Sequence, residues 1–256
     1  MGLTDKVVVI TGGSAGIGKT AALAFAAEGS KVAVCGRDHG KLEKMEKEFA
    51  SKNRTLYTEA ADVGDIASLE RFTANVVEHY GGLDVWINNA GVIFPRPFEE
   101  VPYEEWDLTV NVNFKAVYYG CAFAAKYMGK TGGVIINTSS FASQVPNAGK
   151  ALYAATKAAV ESLTRTLAAE LASRNIRVVS VIPGYIRTDF TEKNIAQNYE
   201  RLVASIPMKR LGESEDMAGA YVFLASSAAS YINGVSLTVA GGKCCVQNPL
   251  WSWEKE

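Results

Sequence analysis

Tyr153 and Lys157 stand four residues apart in Tyr153-Ala-Ala-Thr-Lys157, inside an alanine-rich stretch that reads as helix. Residues at that spacing share one helix face, so the lysine ammonium can lie beside the phenol. A phenol with a pKa of about 10 exchanges protons poorly at neutral pH, whereas a close positive charge stabilises its phenolate and makes it a usable acid or base. By itself such a pair is also a common solvated pair on a helix surface. A second candidate is the turn Thr11-Gly-Gly-Ser-Ala-Gly-Ile-Gly18, whose glycines Gly12, Gly16 and Gly18 let a backbone reverse tightly and approach a phosphate. Any tight turn can use glycine, but this one follows the apolar run Lys6-Val-Val-Val-Ile10 and opens a helical pattern. A strand before and a helix after are the context in which such a turn holds a dinucleotide pyrophosphate, although the spacing departs from the commoner GxGxxG.

The elements that must position these residues alternate in type. Strand candidates lie at 6–10, 31–35, 55–60, 84–88, 134–139, 176–182 and 236–239. Helical patterns occupy 16–29, 40–52, 65–80, 104–129, 151–174 and 213–226. Continuous apolar runs mark strands buried on both faces, and strict alternation with helices implies right-handed crossovers. The expected fold is α/β: a doubly wound Rossmann sheet of seven parallel strands with helices on both faces. Residues 1–256 read as a single dinucleotide-binding and catalytic domain, without repeat or linker. Two parts break the rhythm: a polar, helix-prone insertion at 189–210, expected to lie over the substrate, and a tail at 243–256. Trp251 and Trp253 in that tail are too apolar for a frayed end, so they pack on this subunit or reach a neighbour.

Composition removes several classes of function. The 256 residues carry 26 basic and 27 acidic side chains, a net charge of −1. That balance does not suit a nucleic-acid binder or a polybasic membrane anchor. No apolar run approaches the ~20 residues needed to span a bilayer, and the stretch at 7–10 ends at once in glycines, unlike a secretory leader. A soluble, cytoplasmic protein is expected. Only His39 and His79 are present, both in charged segments, so neither a three-histidine zinc site nor a Ser-His-Asp hydrolase is expected. The four cysteines lack CxxC spacing, and no metal is expected.

Further along the chain come Asn88-Asn-Ala-Gly91, Asn113, Ser139-Ser140 and Pro183-Gly-Tyr-Ile-Arg-Thr188. Taken in order with the glycine turn and Tyr153-x3-Lys157, from about residue 4 to Gly242, they resemble the short-chain dehydrogenase/reductase family. The resemblance implies an oxidoreductase moving a hydride between a nicotinamide cofactor and a carbonyl or secondary alcohol. On matching positions it makes Tyr153 the general acid or base, Lys157 its partner and a holder of the nicotinamide ribose, and Ser140 the residue bonding the substrate oxygen. Ser139 would then point elsewhere. Asn113 matches the asparagine that anchors a relay water, with Asn111 as its rival. Gly12, Ser14, Gly16, Ile17 and Gly18 would hold the pyrophosphate, and Asn89, Ala90 and Gly91 would line the cofactor. Pro183, Gly184, Ile186 and Thr188 match positions along the nicotinamide and phosphates, and Asn88 would brace the sheet. Asp62 and Val63 match the pair at the adenine, although Asp62 would serve equally as a helix cap.

Cofactor choice rests on the end of the second strand, Val34-Cys-Gly-Arg-Asp38. The position where NAD enzymes keep a carboxylate is Gly36, and Arg37 follows, so NADP(H) is favoured over NAD(H). Against this, Ala15 lacks the basic residue many NADP members carry, and Arg37 could be a plain surface charge. The loops at 92–98 and 141–147, with Tyr185 and Phe190, are largely apolar and fit a small carbonyl or alcohol substrate. Alternatives within the family are a 3-oxoacyl-(acyl carrier protein) reductase and an NAD-dependent sugar, polyol or hydroxysteroid dehydrogenase. A nucleotide-sensing regulator is the non-catalytic alternative, though such proteins usually lose the tyrosine or lysine. By analogy with the family, a homo-oligomer, tetramer or dimer, is expected.

Overall fold

The computed structural model describes the chain except residues 130, 146, 251, 252 and 254–256. Among the described residues, seven strands form one sheet: β1 (Val7–Thr11), β2 (Lys31–Gly36), β3 (Leu56–Ala60), β4 (Val85–Asn88), β5 (Gly133–Thr138), β6 (Ile176–Pro183) and β7 (Ser236–Val239). All pairings are parallel, in the order β3-β2-β1-β4-β5-β6-β7. The register is continuous across the middle, with Ile10 opposite both Val34 and Ile87. The chain winds outward from β1 to β3, then crosses to the other side of β1 to start again at β4. A crevice therefore opens where the carboxyl ends of β1 and β4 diverge.

Both faces of the sheet are covered, which explains why its strands read as unbroken apolar runs. Val8, Ile10 and Val34 face α1 (Gly16–Ala27), α2 (His39–Ser51) and α8 (Ser214–Ala225), packing with Phe25, Phe49 and Tyr221. Val9, Ala33, Trp86 and Ile135 face the opposite way, against Phe72 of α3 (Ile66–Tyr80), Ala124 of α5 (Ala116–Met128) and Val160 of α6 (Ala151–Glu170). Beneath the crevice this second layer holds a fully buried polar chain. Trp86 Nε1 donates to Asn88 Oδ1 at 2.8 Å, Asn88 Nδ2 to Asn137 Oδ1 at 2.8 Å, and Asn137 Nδ2 to Thr164 Oγ1 at 3.0 Å. Every link is paired, the condition under which a buried polar network rigidifies a core. Asn88 thus braces the sheet, as its position in the motif implies.

Three elements differ from the sequence reading. The helix expected over 104–129 is two helices, α4 (Tyr103–Val110) and α5, joined by a π-helical turn at Asn111–Lys115. The extra residue in that turn directs both Val112 and Asn113 into the core, which a plain 3.6-residue period would not allow. The helix expected to reach 174 stops at Glu170 and passes through a 3₁₀ turn to Asn175, whose φ of 56° ends it in the left-handed region. The insertion at 189–210 contains α7 (Glu192–Ala204), which is amphipathic rather than simply polar. Its Ile195 and Leu202 pack with Ile206 and Leu211 in a small core of their own. Lys243 closes this segment against the domain: its Nζ donates to Ser205 Oγ at 2.8 Å and sits 5.2 Å from the centre of the Tyr185 ring. Trp253 packs on its own subunit, donating from Nε1 to Pro207 O at 2.9 Å under the Lys209 ammonium. Trp251 lies outside the described residues.

Gly120 of α5 faces this polar chain without a side chain, and a Cβ there would meet Asn88 Oδ1 at 2.5 Å and Trp86 Nε1 at 3.0 Å. Alanine is the better helix former by ~1 kcal/mol, but overpacking a rigid core costs about 1–3 kcal/mol. Gly120→Ala is therefore expected to lower the denaturant midpoint; an unchanged or raised midpoint would mean that the network yields.

Candidate active site

The crevice holds a cleft of about 1050 Å³ that runs from the end of β2, past the turn after β1, to the start of α6. Gly12 has a φ of +63° and lies where a Cβ would stand 2.9 Å from Ala90 Cα, so only glycine fits there. Ser14, Gly16 and Ile17 border the cleft as expected. Ala15, the N-cap of α1, offers no side-chain cap, which leaves the first-turn amides and the positive helix end open to an anion. Gly18 does not border the cleft. A Cβ there would come within 2.5 Å of Gly12 O, so this glycine lets α1 pack against the turn. Thr11 Oγ1 accepts from the amides of Asn89 at 3.0 Å and Ala90 at 3.2 Å. Asn89 Nδ2 donates to the carbonyls of Thr11 and Gly12, both at 3.1 Å. The segment after β4 is thereby fastened to the glycine turn, and Asn89, Ala90 and Gly91 all line the cleft.

At one end stand Gly36, Arg37, Asp38, Asp62 and Val63. Gly36 presents no carboxylate, and a Cβ there would lie 2.6 Å from Ser14 Oγ, a hydroxyl that would have to turn aside. Asp38 is engaged as the N-cap of α2, accepting from Lys41 N at 3.0 Å. Asp62 is not a helix cap: Asp65 caps α3, and Asp62 accepts instead from Gly64 N at 2.9 Å while bordering the cleft. Arg37 is exposed beside them. This donor set fits a dinucleotide: bare amides for the phosphates, and an arginine at the outer ribose.

At the other end β5 and α6 bring Ser140, Tyr153 and Lys157 together. Ser140 caps the 3₁₀ turn that follows β5, its Oγ accepting from Ala142 N at 3.2 Å. Burial pushes the Tyr153 phenol above its ordinary value, and a hydrogen bond from Ser140 pulls it partly back. Lys157 is 3% exposed; its Nζ donates to Thr138 O at 2.8 Å and lies 5.8 Å from the centre of the Tyr153 ring. Burial without a compensating carboxylate lowers this ammonium to about 8. Pro183, Gly184, Ile186 and Thr188 form the facing wall. Ser139 turns its hydroxyl away, to Lys157 O at 3.1 Å and Glu161 Oε1 at 3.0 Å.

Asn113 lies behind the segment Gly91–Val92. Its Oδ1 accepts from Val92 N and its Nδ2 donates to Val92 O, both at 2.8 Å. Only Gly91 separates it from Lys157: a Cβ there would lie 3.4 Å from Asn113 Oδ1 and 3.7 Å from Lys157 Nζ. Sequence reasoning passed over Glu161. It is buried one turn beyond Lys157, accepts from Ser139 and Ser143, and so holds the turn that carries Ser140. The spacing 153, 157, 161 marks one helix face and could have exposed it. Lys150, just before α6, was also passed over.

Residues 12–243 match the family model described as enoyl-(acyl carrier protein) reductase. The chain belongs to the short-chain dehydrogenase/reductase family. This oxidoreductase is 37% identical to the 3-oxoacyl-(acyl carrier protein) reductase of Thermotoga maritima over 94% of this chain and 99% of that protein. It is 38% identical to the L-rhamnose 1-dehydrogenase (NAD(P)+) of Azotobacter vinelandii, over 94% and 97% of the two chains. A blue fluorescent protein from a metagenomic library, solved in complex with NADPH, superposes with a TM-score of 0.89 at 33% identity, covering 96% of this chain and 100% of that one.

Lys157 has a stability consequence with a definite sign. Its folded value of about 8 lies below the ordinary 10.5, so between those values the folded state holds fewer protons than the unfolded chain, and stability rises with pH. Below about 8 the full cost of the buried ammonium is present. Lys157→Met is expected to be more stable than wild type at pH 7 by about 2 kcal/mol, after allowing ~1 kcal/mol for the lost hydrogen bond. That advantage should shrink between pH 8 and 10.5 in denaturant titrations; a variant less stable at both ends would contradict it.

Proposed function

We propose that the protein is an NADP(H)-dependent reductase of small carbonyl compounds, or in reverse a dehydrogenase of the corresponding secondary alcohols. The observation that carries this reading is the convergence of Ser140, Tyr153 and Lys157 at one end of a cleft whose other end is the bare-amide turn and Arg37. When bound, the nicotinamide supplies or accepts the hydride. Tyr153 gives its proton to the oxygen that gains charge in reduction, and removes it in oxidation. Ser140 donates to the same oxygen and fixes its position. Lys157, buried and aimed past the phenol, favours the phenolate that Tyr153 becomes and holds the ribose hydroxyls. Asn113, one glycine away from Lys157, keeps the segment at Val92 after β4 in place and orders the relay water.

NADP(H) is favoured because Asp38 is already spent as a helix cap and Gly36 presents no carboxylate, while Arg37 is free to meet a 2′-phosphate. The NADPH-bound relative is in keeping with this. The Thermotoga relative supports a second reading, 3-oxoacyl-(acyl carrier protein) reduction, and the Azotobacter relative a third, sugar oxidation. The apolar loop Val92-Ile-Phe-Pro-Arg-Pro97 favours a small free substrate over both. In this reading residues 1–256 act as one catalytic unit, 189–210 cover the substrate, and the protein assembles as a homo-oligomer in the cytoplasm. The exposed aromatic residues Trp106, Tyr118 and Tyr119 on α4 and α5 are suited to that assembly.

Titrating NADPH and NADH against wild type and Tyr153→Phe, with turnover followed in parallel, tests the reading. NADPH should bind tighter by about tenfold, the scale of one charge-assisted contact. The variant should still saturate with cofactor yet lose about 10²–10⁴ in kcat. Retained turnover, or tighter NADH binding, would go against the assigned roles of Tyr153 or Arg37 respectively.

A further inference from the structure

Lys150 occupies the N-cap of α6, three residues before Tyr153, and offers that helix no side-chain cap. A lysine is electrostatically misplaced there. The start of a 20-residue helix is its positive end, where Ser, Asp or Asn would cap the amides and a cation is repelled. Such a breach of a local stability rule is the kind expected at a functional position. Lys150 borders both the catalytic cleft and a side cavity of about 330 Å³ that opens next to Tyr153. The side chain is half-buried, and burial depresses its ammonium below the ordinary value with no counter-charge to offset it.

The other cations near Tyr153 have other engagements, and Arg37 lies at the opposite end of the cleft. Lys157 donates to Thr138 O, Lys41 pairs with Asp189, and Arg96 of the side cavity pairs with Glu105. Lys193 reaches the cleft from α7 but is solvated. The carboxylates that border the cleft are Asp38, Asp62 and Asp189, of which Asp38 and Asp62 lie at the Arg37 end and Asp189 is neutralised by Lys41. None of these three lies at Lys150, and Glu105, which lines the side cavity with it, is held by Arg96. An anionic group entering beside Tyr153 would therefore meet the Lys150 ammonium and the positive end of α6, and no carboxylate that is not already paired. One ammonium, with no guanidinium fork beside it, suits a carboxylate monoanion rather than a phosphate.

We propose that Lys150 is a specificity-determining residue that pairs with a carboxylate on the substrate, so that the enzyme takes short oxo acids, and hydroxy acids in reverse, in preference to uncharged ketones. This rests on the catalytic reading of Tyr153. Lys150 and Tyr153 open from the first turn of one helix, so the acid group and the reacting carbon lie a few bonds apart. The apolar walls at Val92, Ile93 and Phe141 receive the remainder of the molecule.

The test compares pyruvate, acetoacetate and levulinate with their methyl esters and with 2-butanone, using NADPH and NADH and the wild-type, Lys150→Met and Lys150→Arg enzymes. At least one acid should exceed its ester in kcat/KM by about tenfold. Lys150→Met should collapse that ratio toward unity, mainly through KM, and Lys150→Arg should restore much of it. Esters equal to or better than the acids in wild type would overturn the proposal, as would acid and ester falling together in Lys150→Met. If 2-butanone is reduced but no acid is, the proposal fails while the oxidoreductase reading stands. If no compound of the series reacts with either cofactor, that reading fails for small carbonyls and this inference falls with it.

Discussion

An ammonium buried without a carboxylate partner is an expensive object, and the architecture around Lys157 is arranged to tolerate it. Its one hydrogen bond goes to Thr138 O, at the end of β5, and its neighbour one turn back on α6 is the phenol of Tyr153. A nearby carboxylate would make the lysine comfortable and hold its charge, but it would also oppose the phenolate. The charge is instead left uncompensated beside the Tyr153 phenol. Glu161, one turn further along α6, spends its carboxylate on Ser139 and Ser143. In that way it fixes the turn carrying Ser140.

Everything else serves to hold this constellation still. The buried chain Trp86–Asn88–Asn137–Thr164 ties β4, β5 and α6 together below it. The π-helical turn between α4 and α5 swings Asn113 inward to lock the backbone at Val92, and Gly91 lets that asparagine and Lys157 approach from behind. Thr11 fastens the segment after β4 to the glycine turn, so the two halves of the cleft share one rigid floor. The part expected to move is α7, whose small core is separate from the two that sandwich the sheet.

Much of the sheet was legible because its strands are apolar on both faces and its helices end at glycines such as Gly29 and Gly81. The π-helical turn was not legible: one extra residue per turn barely disturbs an apolar period, and only the inward direction of both Val112 and Asn113 betrays it. Gly18 belongs visibly to a phosphate-type turn, yet packing, not ligand approach, requires it. In α7 the spacing of Ile195 and Leu202 was readable as an apolar stripe but is masked by the polar residues around it. Lys150 escaped notice because a lysine next to a helix carries meaning only once the charges around it are known to be paired.

The central claim is that a hydride passes directly between a nicotinamide held at the glycine turn and a carbonyl carbon held at Ser140 and Tyr153. Reduction of an accepted carbonyl compound with NADPH deuterated at one face of C4 tests it most directly. The account predicts deuterium on the carbinol carbon of the product from one face only, with a slowed rate for that labelled cofactor. Product formed without label from either face, or label lost to solvent, would contradict it.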